Sequence, residues 1–245
     1  MGKAHLIMPM GGSGSRFKKN GFEIPKPVIE IEGKPFFYWA ARSIEKYVDL
    51  EDITFVALRD HIEKFDLGKF IKKYFPDAMI IEIPEVTPGP VFTSLEGVKH
   101  IHDEKAIIIN DCDHMFKCTD MNDLLNSLES GIDGALVSFE SQSANFSYIK
   151  YDKQGKVIGT VEKVVVSNHA ICGAYEFRNA QLFREIADEY LKSCPYKESF
   201  LSGMYNVMCE HDMNIKDCKL DFHVEFGTPE EYKKAIGSGC FAELL

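Results

Sequence analysis

Near its amino end the chain reads His5-Leu-Ile-Met-Pro-Met-Gly-Gly-Ser-Gly-Ser-Arg-Phe17 and, a few residues later, Ile24-Pro-Lys-Pro27. The short apolar run at residues 6–8 predicts a buried strand, and this strand leads directly into three glycines. Glycine lets the backbone adopt a positive φ and approach a ligand closely, so consecutive N–H groups can point into one anion-binding concavity. This segment therefore predicts a first strand that ends in a polyphosphate-binding loop.

Two basic residues strengthen this interpretation over that of an ordinary turn. Arg16 carries a planar fork of donors that suits phosphate oxygens, and Lys26, held between two prolines, supplies a point charge. The two standard glycine-rich motifs do not fit. A dinucleotide fingerprint needs a third glycine where Phe17 stands, and a P-loop needs Gly-Lys-Ser/Thr at the end of its loop.

The glycine loop and the Pro-Lys-Pro segment together resemble the signature of the sugar-1-phosphate nucleotidyltransferases. In that family the loop wraps the triphosphate of an NTP, and the arginine and the lysine neutralise its charge. The resemblance implies that Arg16 and Lys26 are catalytic residues that also bind the nucleotide. It implies further nucleotide contacts from the loop residues Met10, Gly11, Gly12, Ser13, Gly14 and Ser15. Met10 departs from the family, which usually has a small residue at this position.

Apolar strands and amphipathic helices alternate along the following residues. Strands are predicted at 28–31, 53–58, 78–83, 106–109 and 135–139, and helices at 36–47, 61–74, 91–100 and 119–130. We therefore expect an α/β fold with a mixed, mostly parallel central sheet flanked by helices, whose ligands bind at the carboxyl ends of the strands. The resemblance implies the nucleotide-diphospho-sugar transferase fold, which is a GT-A-like Rossmann-type fold.

The pattern changes at about residue 140. Residues 148–152, a turn at 153–155 and the alternating residues 157–162 predict an antiparallel hairpin, which a strand at 170–177 follows. We interpret residues 1–245 as a single nucleotidyltransferase domain. It consists of a nucleotide-binding half at 1–139, an acceptor-binding half with a small antiparallel subregion at 140–236, and a tail at 237–245.

A second nucleotide contact is predicted at residues 87–97, where a rigid Thr-Pro-Gly-Pro turn runs into a helix. Gly89 would let the backbone approach a flat base, and Thr93 offers a hydroxyl near the amino end of the helix. The segment resembles the family's second nucleotide-contact loop, which implies that Pro88, Gly89 and Thr93 contact the nucleotide. The alternative is a purely structural turn and helix start.

The apolar residues 106–109 end in Asn110-Asp-Cys-Asp-His114. Carboxylates beside a phosphate loop are costly to bury unless they bind a cation, and Mg²⁺ prefers one or two carboxylates with phosphate oxygens and water. Asp111 and Asp113 alternate along the strand and can face one cleft. Asp113 matches the family's metal-binding aspartate better, whereas Asp111 is a secondary candidate for the metal and for the nucleotide. His114 and Cys112 do not predict zinc, because no second His/Cys pair has zinc-like spacing.

The segment Glu225-Phe-Gly-Thr-Pro229 resembles the family's Asp-x-Gly-Thr-Pro ending, with Glu225 in the aspartate position. In the family this carboxylate shares the metal with the first one, so the resemblance implies Mg²⁺ on Asp113 and Glu225, with Asp111 as a further ligand. Thr228 and Glu231 also predict a capped helix start, and a pure capping role is the alternative.

The predicted hairpin ends in Glu162-Lys163. In the family such a lysine takes the phosphate of the acceptor and the glutamate takes its sugar hydroxyls, which implies acceptor binding by Glu162, Lys163 and Gly173. A surface salt bridge is the alternative. Two departures predict an unusual acceptor, because Ser147 stands where the family has a glycine beside the sugar and Val164 replaces a frequent proline.

The composition excludes several classes of partner. A net charge of −10 without a basic stripe argues against nucleic acid and anionic membranes, and no apolar run approaches the roughly 20 residues that span a bilayer. Seven cysteines without CxxC spacing, and a first strand so close to Met1 that no secretory leader fits, predict reduced thiols in the cytoplasm. We expect an NTP and a small phosphorylated acceptor as partners, and the helices at 179–193 and 198–211 offer a surface for a homo-oligomer.

The motifs occur in family order along nearly the whole chain. The resemblance therefore implies Mg²⁺-dependent nucleotidyl transfer from an NTP to a phosphorylated acceptor, foremost a sugar 1-phosphate, with release of pyrophosphate. That activity would serve nucleotide-sugar biosynthesis, for example for capsule or other cell-surface polysaccharide. Three alternatives remain: a CTP-dependent cytidylyltransferase acting on phosphocholine or a phosphorylated amino acid, a metal-dependent glycosyltransferase, and a non-catalytic nucleotide-binding domain.

Overall fold

The computed structural model describes residues 3–244. Its strands are β1 (Ala4–Met10), β2 (Glu30–Ile31), β3 (Lys34–Pro35), β4 (Leu50–Leu58), β5 (Met79–Ile83), β6 (Ile107–Asn110), β7 (His114–Lys117), β8 (Gly134–Glu140), β9 (Ser147–Tyr151), β10 (Val157–Glu162), β11 (His169–Phe177), β12 (Ile215–Lys219) and β13 (Phe222–Glu225). Its helices are α1 (Ser15–Lys19), α2 (Phe36–Glu45), α3 (Arg59–Phe65), α4 (Leu67–Tyr74), α5 (Pro90–Val98), α6 (Met121–Leu128), α7 (Ala180–Ser193), α8 (Leu201–Glu210) and α9 (Pro229–Ala235). Short 3-10 turns lie at Lys26–Val28 and Cys240–Leu244.

Nine strands form the central sheet. Its main path runs β5-β4-β1-β6-β11-β8-β12, and the hairpin β9–β10 joins the amino-terminal half of β11. β11 runs antiparallel to both β6 and β8, whereas the other strands of the main path are parallel to one another. The mixed, mostly parallel α/β architecture expected from the sequence is therefore confirmed.

Helices cover both faces of this sheet. Leu6 and Met8 of β1 pack with α2, α4 and α6 on one face, while Ile7 packs with α5, α7 and α8 on the other. Alternate residues of the strand are thus buried on opposite sides, which explains why β1 reads as a continuous apolar run. A third apolar cluster, around Trp39 and Phe226, lies under α1 and α9. No helix within residues 3–244 is long and apolar enough to cross a membrane.

The structure corrects two of the predicted elements. The helix expected at 61–74 is two helices, α3 and α4, because Asp66 takes a left-handed conformation with a φ of 52°. An aspartate tolerates that conformation, and its carbonyl oxygen accepts hydrogen bonds from the N–H groups of Lys69 and Phe70 in the new helix. The strand expected at 28–31 is reduced to β2, because the segment starts with a 3-10 turn at Lys26–Val28 in which Pro27 fixes φ.

Candidate active site

The candidate site lies at the carboxyl edge of the parallel strands. β1 ends at Met10 and β6 ends at Asn110, and the antiparallel β11 passes beside them. The N–H of Asp111 donates a hydrogen bond of 2.9 Å to the carbonyl oxygen of Gly173 in β11. The loops after β1 and β6 therefore meet at one edge of the sheet, as ligand-binding loops do in open α/β folds.

The glycine loop after β1 contacts two other predicted nucleotide segments. A Cβ on Gly11 would lie 2.7 Å from Cδ1 of Ile83 and 3.0 Å from Oγ1 of Thr93, so only glycine lets the loop pack against α5. Gly14 has a φ of 63°, and a Cβ there would lie 3.5 Å from Cβ of Lys26. A Cβ on Gly12 would meet open space. The loop thus joins α5 to the Lys26 segment and leaves its middle free for a ligand.

The neighbours of these glycines differ in exposure. Ser13, Ser15 and Arg16 are exposed, whereas the Met10 side chain is buried in the apolar core. Any contact of Met10 with a nucleotide would therefore involve its backbone. Binding and catalysis by the loop residues stay predictions.

The Pro88–Gly89 turn lies against the segment that leads into α8. Gly89 has a φ of 140°, and a Cβ there would lie 2.4 Å from the backbone nitrogen of Ser199. Thr93 is buried, and its hydroxyl lies 2.7 Å from that of Thr87. The Thr93 hydroxyl thus bonds inside the protein, whereas the backbone of the turn is the part that can meet a base.

Lys26 and Asp113 form the central ion pair of the site. Nζ of Lys26 lies 2.8 Å from Oδ2 of Asp113, and the two side chains are 26% and 23% exposed. Burial opposes charge on Lys26, but the Asp113 carboxylate outweighs it and raises the pKa of Lys26. Burial would likewise raise the pKa of Asp113, but the Lys26 ammonium lowers it below its ordinary value. Both groups are therefore charged at neutral pH.

Asp111 adds a second carboxylate beside this pair. Burial, and then the Asp113 carboxylate, raise the pKa of Asp111 to about 7. A Cβ on Gly173 would lie 2.9 Å from Oδ2 of Asp111, and Gly173 has a φ of 97°. The absent side chain of Gly173 therefore makes room for Asp111, a role that the sequence did not indicate. Its predicted contact with the acceptor stays a prediction.

Glu225 approaches from β13, which pairs with β7. Burial, and then the neighbouring Glu231, raise the pKa of Glu225 to about 7, and Asp113 adds to the effect. The N–H of Phe226 donates a 3.0 Å hydrogen bond to the carbonyl oxygen of Asp113. A Cβ on Gly227 would lie 2.3 Å from Oδ2 of Asp113, so this glycine too makes room for a carboxylate. The predicted capping box of Thr228 and Glu231 is present at the start of α9.

Two histidines, His114 of β7 and His223 of β13, contact each other across this strand pair. Nδ2 of Asn110 donates to the carbonyl oxygen of Ala40, which leaves Oδ1 of Asn110 3.0 Å from Nε2 of His114. Nδ1 of His114 lies 3.3 Å from Nε2 of His223. Burial lowers the pKa of His114 to about 4 and that of His223 well below its ordinary value, so both rings are neutral. His114 is thus a buried structural residue beside the carboxylates, and no sequence pattern indicated its partner His223.

The predicted acceptor residue Glu162 lies close enough to Asp111 for its charge to act on that carboxyl group. One carboxylate oxygen of Glu162, Oε2, accepts hydrogen bonds from the hydroxyls of Ser147 and Ser202. The other oxygen, Oε1, lies 3.7 Å from Nζ of Lys163. Lys163 has a φ of 56°, and its ammonium lies 4.9 Å from the centre of the Phe200 ring. Ser147, which replaces the family glycine, therefore binds the glutamate directly.

The donor set fits a hard divalent cation. Within residues 3–244 no group of three or more His, Cys, Asp or Glu side chains is already arranged to hold a metal ion. Burial, and then neighbouring carboxylates, nevertheless raise the pKa values of Asp111 and Glu225, and a bound cation would offset both effects. Mg²⁺ needs only one or two protein carboxylates when phosphate oxygens and water complete its shell.

Contacts therefore connect the predicted residues into one site. Gly14 lies next to Lys26, since a Cβ on this glycine would come within 3.5 Å of it; Lys26 binds Asp113, and the Asp113 charge acts on Asp111. Glu162 also acts on Asp111 and lies beside Lys163. The glycine-loop segment, the carboxylates and the predicted acceptor pair are thus linked by short-range interactions.

Curated proteins are similar to this chain over part or most of its length. D-glycero-alpha-D-manno-heptose 1-phosphate guanylyltransferase of Campylobacter jejuni is 28% identical over 236 residues, which cover 92% of this chain and 96% of that protein. 2-C-methyl-D-erythritol 4-phosphate cytidylyltransferase of Clostridium perfringens is 31% identical over 98 residues. That match covers 40% of this chain and only 42% of the relative.

Solved structures share the fold. The nucleoside-diphosphate-sugar pyrophosphorylase from Vibrio cholerae RC9 superimposes with a TM-score of 0.81 at 23% identity, covering 94% of this chain and 99% of that one. The inositol-1-phosphate CTP transferase from T. maritima superimposes with a TM-score of 0.74 at 13% identity, covering 100% and 96%. The expected nucleotide-sugar transferase fold is confirmed.

A family model described as nucleotidyl transferase matches residues 5–237. This match confirms the resemblance that the glycine loop and the Pro-Lys-Pro segment indicated. Because it extends over nearly the whole chain, the protein belongs to the nucleotidyl transferase family.

Proposed function

We propose that this protein transfers a nucleotidyl group from an NTP to a phosphorylated acceptor, in the first instance a sugar 1-phosphate, and releases pyrophosphate. The observation that carries the proposal is the 2.8 Å ion pair between Lys26 and Asp113. It joins the segment that follows the glycine loop to the carboxylates at the end of β6. A nucleotide bound by the loop would thus extend its α-phosphate towards a site that already holds both signs of charge.

In the proposed reaction, an oxygen of the acceptor phosphate attacks the α-phosphorus of the NTP in line. The bond from this phosphorus to the bridging oxygen breaks, and the electron pair leaves with pyrophosphate. The N–H groups of the glycine loop and the exposed Arg16 would hold the β- and γ-phosphates and stabilise the charge that develops on the leaving group. Lys26 would exchange part of its contact with Asp113 for the α-phosphate.

The acceptor side needs orientation more than activation. A phosphate monoester is largely ionised at pH 7, so its oxygen is a nucleophile without a general base. Lys163 would bind that phosphate, and Oε1 of Glu162 would accept a hydrogen bond from an acceptor hydroxyl. The hydroxyls of Ser147 and Ser202 fix the glutamate for this task.

Members of this family typically depend on a divalent metal, and for this chain we propose Mg²⁺ held by Asp113 and Glu225, with Asp111 as a further ligand. When bound, the cation would neutralise phosphate charge as a Lewis acid.

The seven free thiols agree with a cytoplasmic location, which we propose as well.

A second candidate is cytidylyl transfer from CTP to a non-sugar acceptor. The observation that favours it is the Ser147 hydroxyl on Glu162, because two protein hydroxyls already occupy one oxygen of the carboxylate that would read sugar hydroxyls. An acceptor with fewer hydroxyls, such as a phosphorylated alcohol, would suit the remaining oxygen.

A pyrophosphate-release screen tests both candidates. Each of the four NTPs is combined with sugar 1-phosphates, phosphocholine and phosphorylated amino acids in the presence of Mg²⁺. We expect acceptor-dependent release with one base, and a loss of about a thousandfold in both Lys26→Met and Asp113→Asn, since each removes a charge at the reacting phosphate. Release that is undiminished in Lys26→Met would contradict the mechanism, and the preferred acceptor decides between the two candidates.

A further inference from the structure

Residues 199–202, which comprise the two residues before α8 and its first two positions, contact both halves of the candidate site. We name them the bridging segment. Ser199 contacts the predicted base-binding turn, while Phe200 and Ser202 contact the predicted acceptor pair. Because the segment spans only four residues, a displacement at one end reaches the other within one turn of chain.

On the nucleotide side, Ser199 packs tightly against the Pro88–Gly89 turn. The N–H of Ser199 donates to the carbonyl oxygen of Pro88 at 3.1 Å, and the N–H of Val91 donates to the carbonyl oxygen of Ser199 at 3.1 Å. The bare α-carbon of Gly89 fits between them, since a Cβ would lie 2.4 Å from the backbone nitrogen of Ser199. Ser199 itself is buried. A base that presses on the turn would therefore move Ser199, because close-packed contacts transmit strain.

On the acceptor side, the bridging segment contacts the side chains of Lys163 and Glu162. The backbone N–H of Lys163 donates to the carbonyl oxygen of Phe146 at 3.0 Å, so the residue is fixed at its base while its ammonium rests over the Phe200 ring. The Ser202 hydroxyl donates to Oε2 of Glu162 at 3.3 Å. The carbonyl oxygen of Ser202 accepts from the Thr160 hydroxyl at 2.7 Å, which ties the segment to β10.

We propose that the bridging segment couples nucleotide binding to the placement of Lys163 and Glu162, with Phe200 and Ser202 as positioning residues. The inference rests on the proposed function, because it takes the turn at Pro88–Gly89 as the base site and Glu162–Lys163 as the acceptor site. A nucleotide on the turn shifts Ser199 and with it the Phe200 ring. The Lys163 ammonium then leaves the ring and becomes available to an acceptor phosphate.

Methyl NMR of Lys163 tests the coupling without knowledge of the acceptor. Lysines are dimethylated with isotope-labelled formaldehyde, which keeps their charge, and Lys163→Arg assigns the signal. The probes are the four non-reactive α,β-methylene NTPs with Mg²⁺, whose binding is measured independently as a rise in unfolding temperature. We expect an upfield Lys163 signal in the free protein, from the ring current of Phe200, that moves downfield when a nucleotide binds.

Variants separate this mechanism from a general structural effect. Phe200→Leu should remove the upfield shift and Phe200→Tyr should restore it, whereas Tyr196→Leu, which alters only the ring beside Phe200, should leave it. Gly89→Ala should move the signal without any nucleotide, while Gly12→Ala, where a Cβ meets open space, should not. Once the acceptor is known, Phe200→Leu should lower the KM for the acceptor about two- to fivefold when the NTP is well below saturation, because the Lys163 ammonium no longer has to leave the ring.

The possible failures are distinguishable. If a nucleotide raises the unfolding temperature but the Lys163 signal stays in place, the coupling is wrong and the proposed function stands. If none of the four analogues raises the unfolding temperature of the unmodified protein, whose Lys26 carries no added methyl groups, the proposed nucleotide site is wrong, and the coupling with it.

Discussion

Replacing Lys26 by Met removes the cation of the central ion pair while keeping a side chain of similar length. Asp113 would then stand among Asp111 and Glu225 without the ammonium that lies 2.8 Å from it in the native protein. We expect the variant to fold, to lose turnover, and to become less stable in a way that depends on pH.

The size of the effect follows from the geometry of the pair. Two charges 2.8 Å apart attract by about 6 kcal/mol at an effective dielectric constant of about 20. The cost of removing both charges from water offsets most of this attraction, although both side chains retain about a quarter of their exposure. We therefore expect Lys26→Met to lower the free energy of unfolding by about 2–3 kcal/mol at pH 8, somewhat less than for a fully buried pair.

The sign of the pH dependence can be derived from Asp113. Its pKa is lowered in the native protein, so its contribution to stability is present above the ordinary pKa of aspartate and is lost as the pH falls through the native value. In Lys26→Met, burial would raise the pKa of Asp113 instead. The carboxyl group would then be protonated at low pH, and the loss of stability should be smaller at pH 5 than at pH 8.

Urea unfolding of four proteins measures this contribution. They are the wild type, Lys26→Met, Asp113→Asn and the double variant, each at pH 5 and pH 8. The double variant should be more stable than the sum of the single losses predicts, with a coupling energy of about 2 kcal/mol at pH 8. Additive losses, within about 0.5 kcal/mol at both pH values, would refute the assignment of this pair as a stabilising interaction.

Three further predictions concern other parts of the chain. Both ring nitrogens of His5 lie 3.0 Å from carboxylates, Asp52 and Asp103; burial opposes protonation, but these bonds raise the pKa of His5. The stability that His5 contributes should therefore be present below the ordinary histidine pKa and be lost as the pH rises through the native value. We expect the free energy of unfolding of the wild type to fall by about 1–3 kcal/mol between pH 6 and 9. The same curve should be flatter for His5→Phe. Gly173→Ala should lose at least tenfold in turnover, because its Cβ would collide with Asp111. Gly155 also has a positive φ but has open space around it, so Gly155→Ala should lose only about 1 kcal/mol of unfolding free energy. Equal turnover in both variants would contradict the role of Gly173. Thr228→Ala should lose about 1 kcal/mol in urea unfolding through its capping box and Thr228→Ser almost none, and equal losses would exclude the cap.

Much of the fold could be predicted because each of its strands and helices has its own local pattern of apolar residues. The apolar runs of β1, β4 and β6 are buried on both faces, and a continuous apolar run is what such strands require. The break at Asp66 escaped prediction because apolar residues continue at helical spacing on both sides of it. A short strand at 222–224 is also predicted from the sequence and matches β13, but its pairing with β7 escaped, because local periodicity carries no information on partners more than a hundred positions apart.

The site shows the same division between local and distant information. The motifs singled out Lys26, Asp113, Glu162 and Lys163 from their immediate sequence, and the structure pairs them two by two around Asp111. The functions of Gly173 and Gly227 as space for carboxylates depend on partners 62 and 114 positions away in the chain, Asp111 and Asp113. The residues next to each glycine in the sequence do not indicate these contacts, so they become visible only in the folded structure.

β11 has a consequence for protein design. It is paired with β6, β8 and β9 at once, and Ala170 lies opposite both Phe139 and Tyr148. Paired residues on both sides of Gly173, Ile171 with β8 and Ala174 with β6, therefore position this glycine, which lies where the register with β8 shifts, and with it the Asp111 carboxylate that contacts it. An engineer who grafts a new turn between β9 and β10 to retarget the enzyme thus works on a scaffold whose reacting centre is anchored elsewhere.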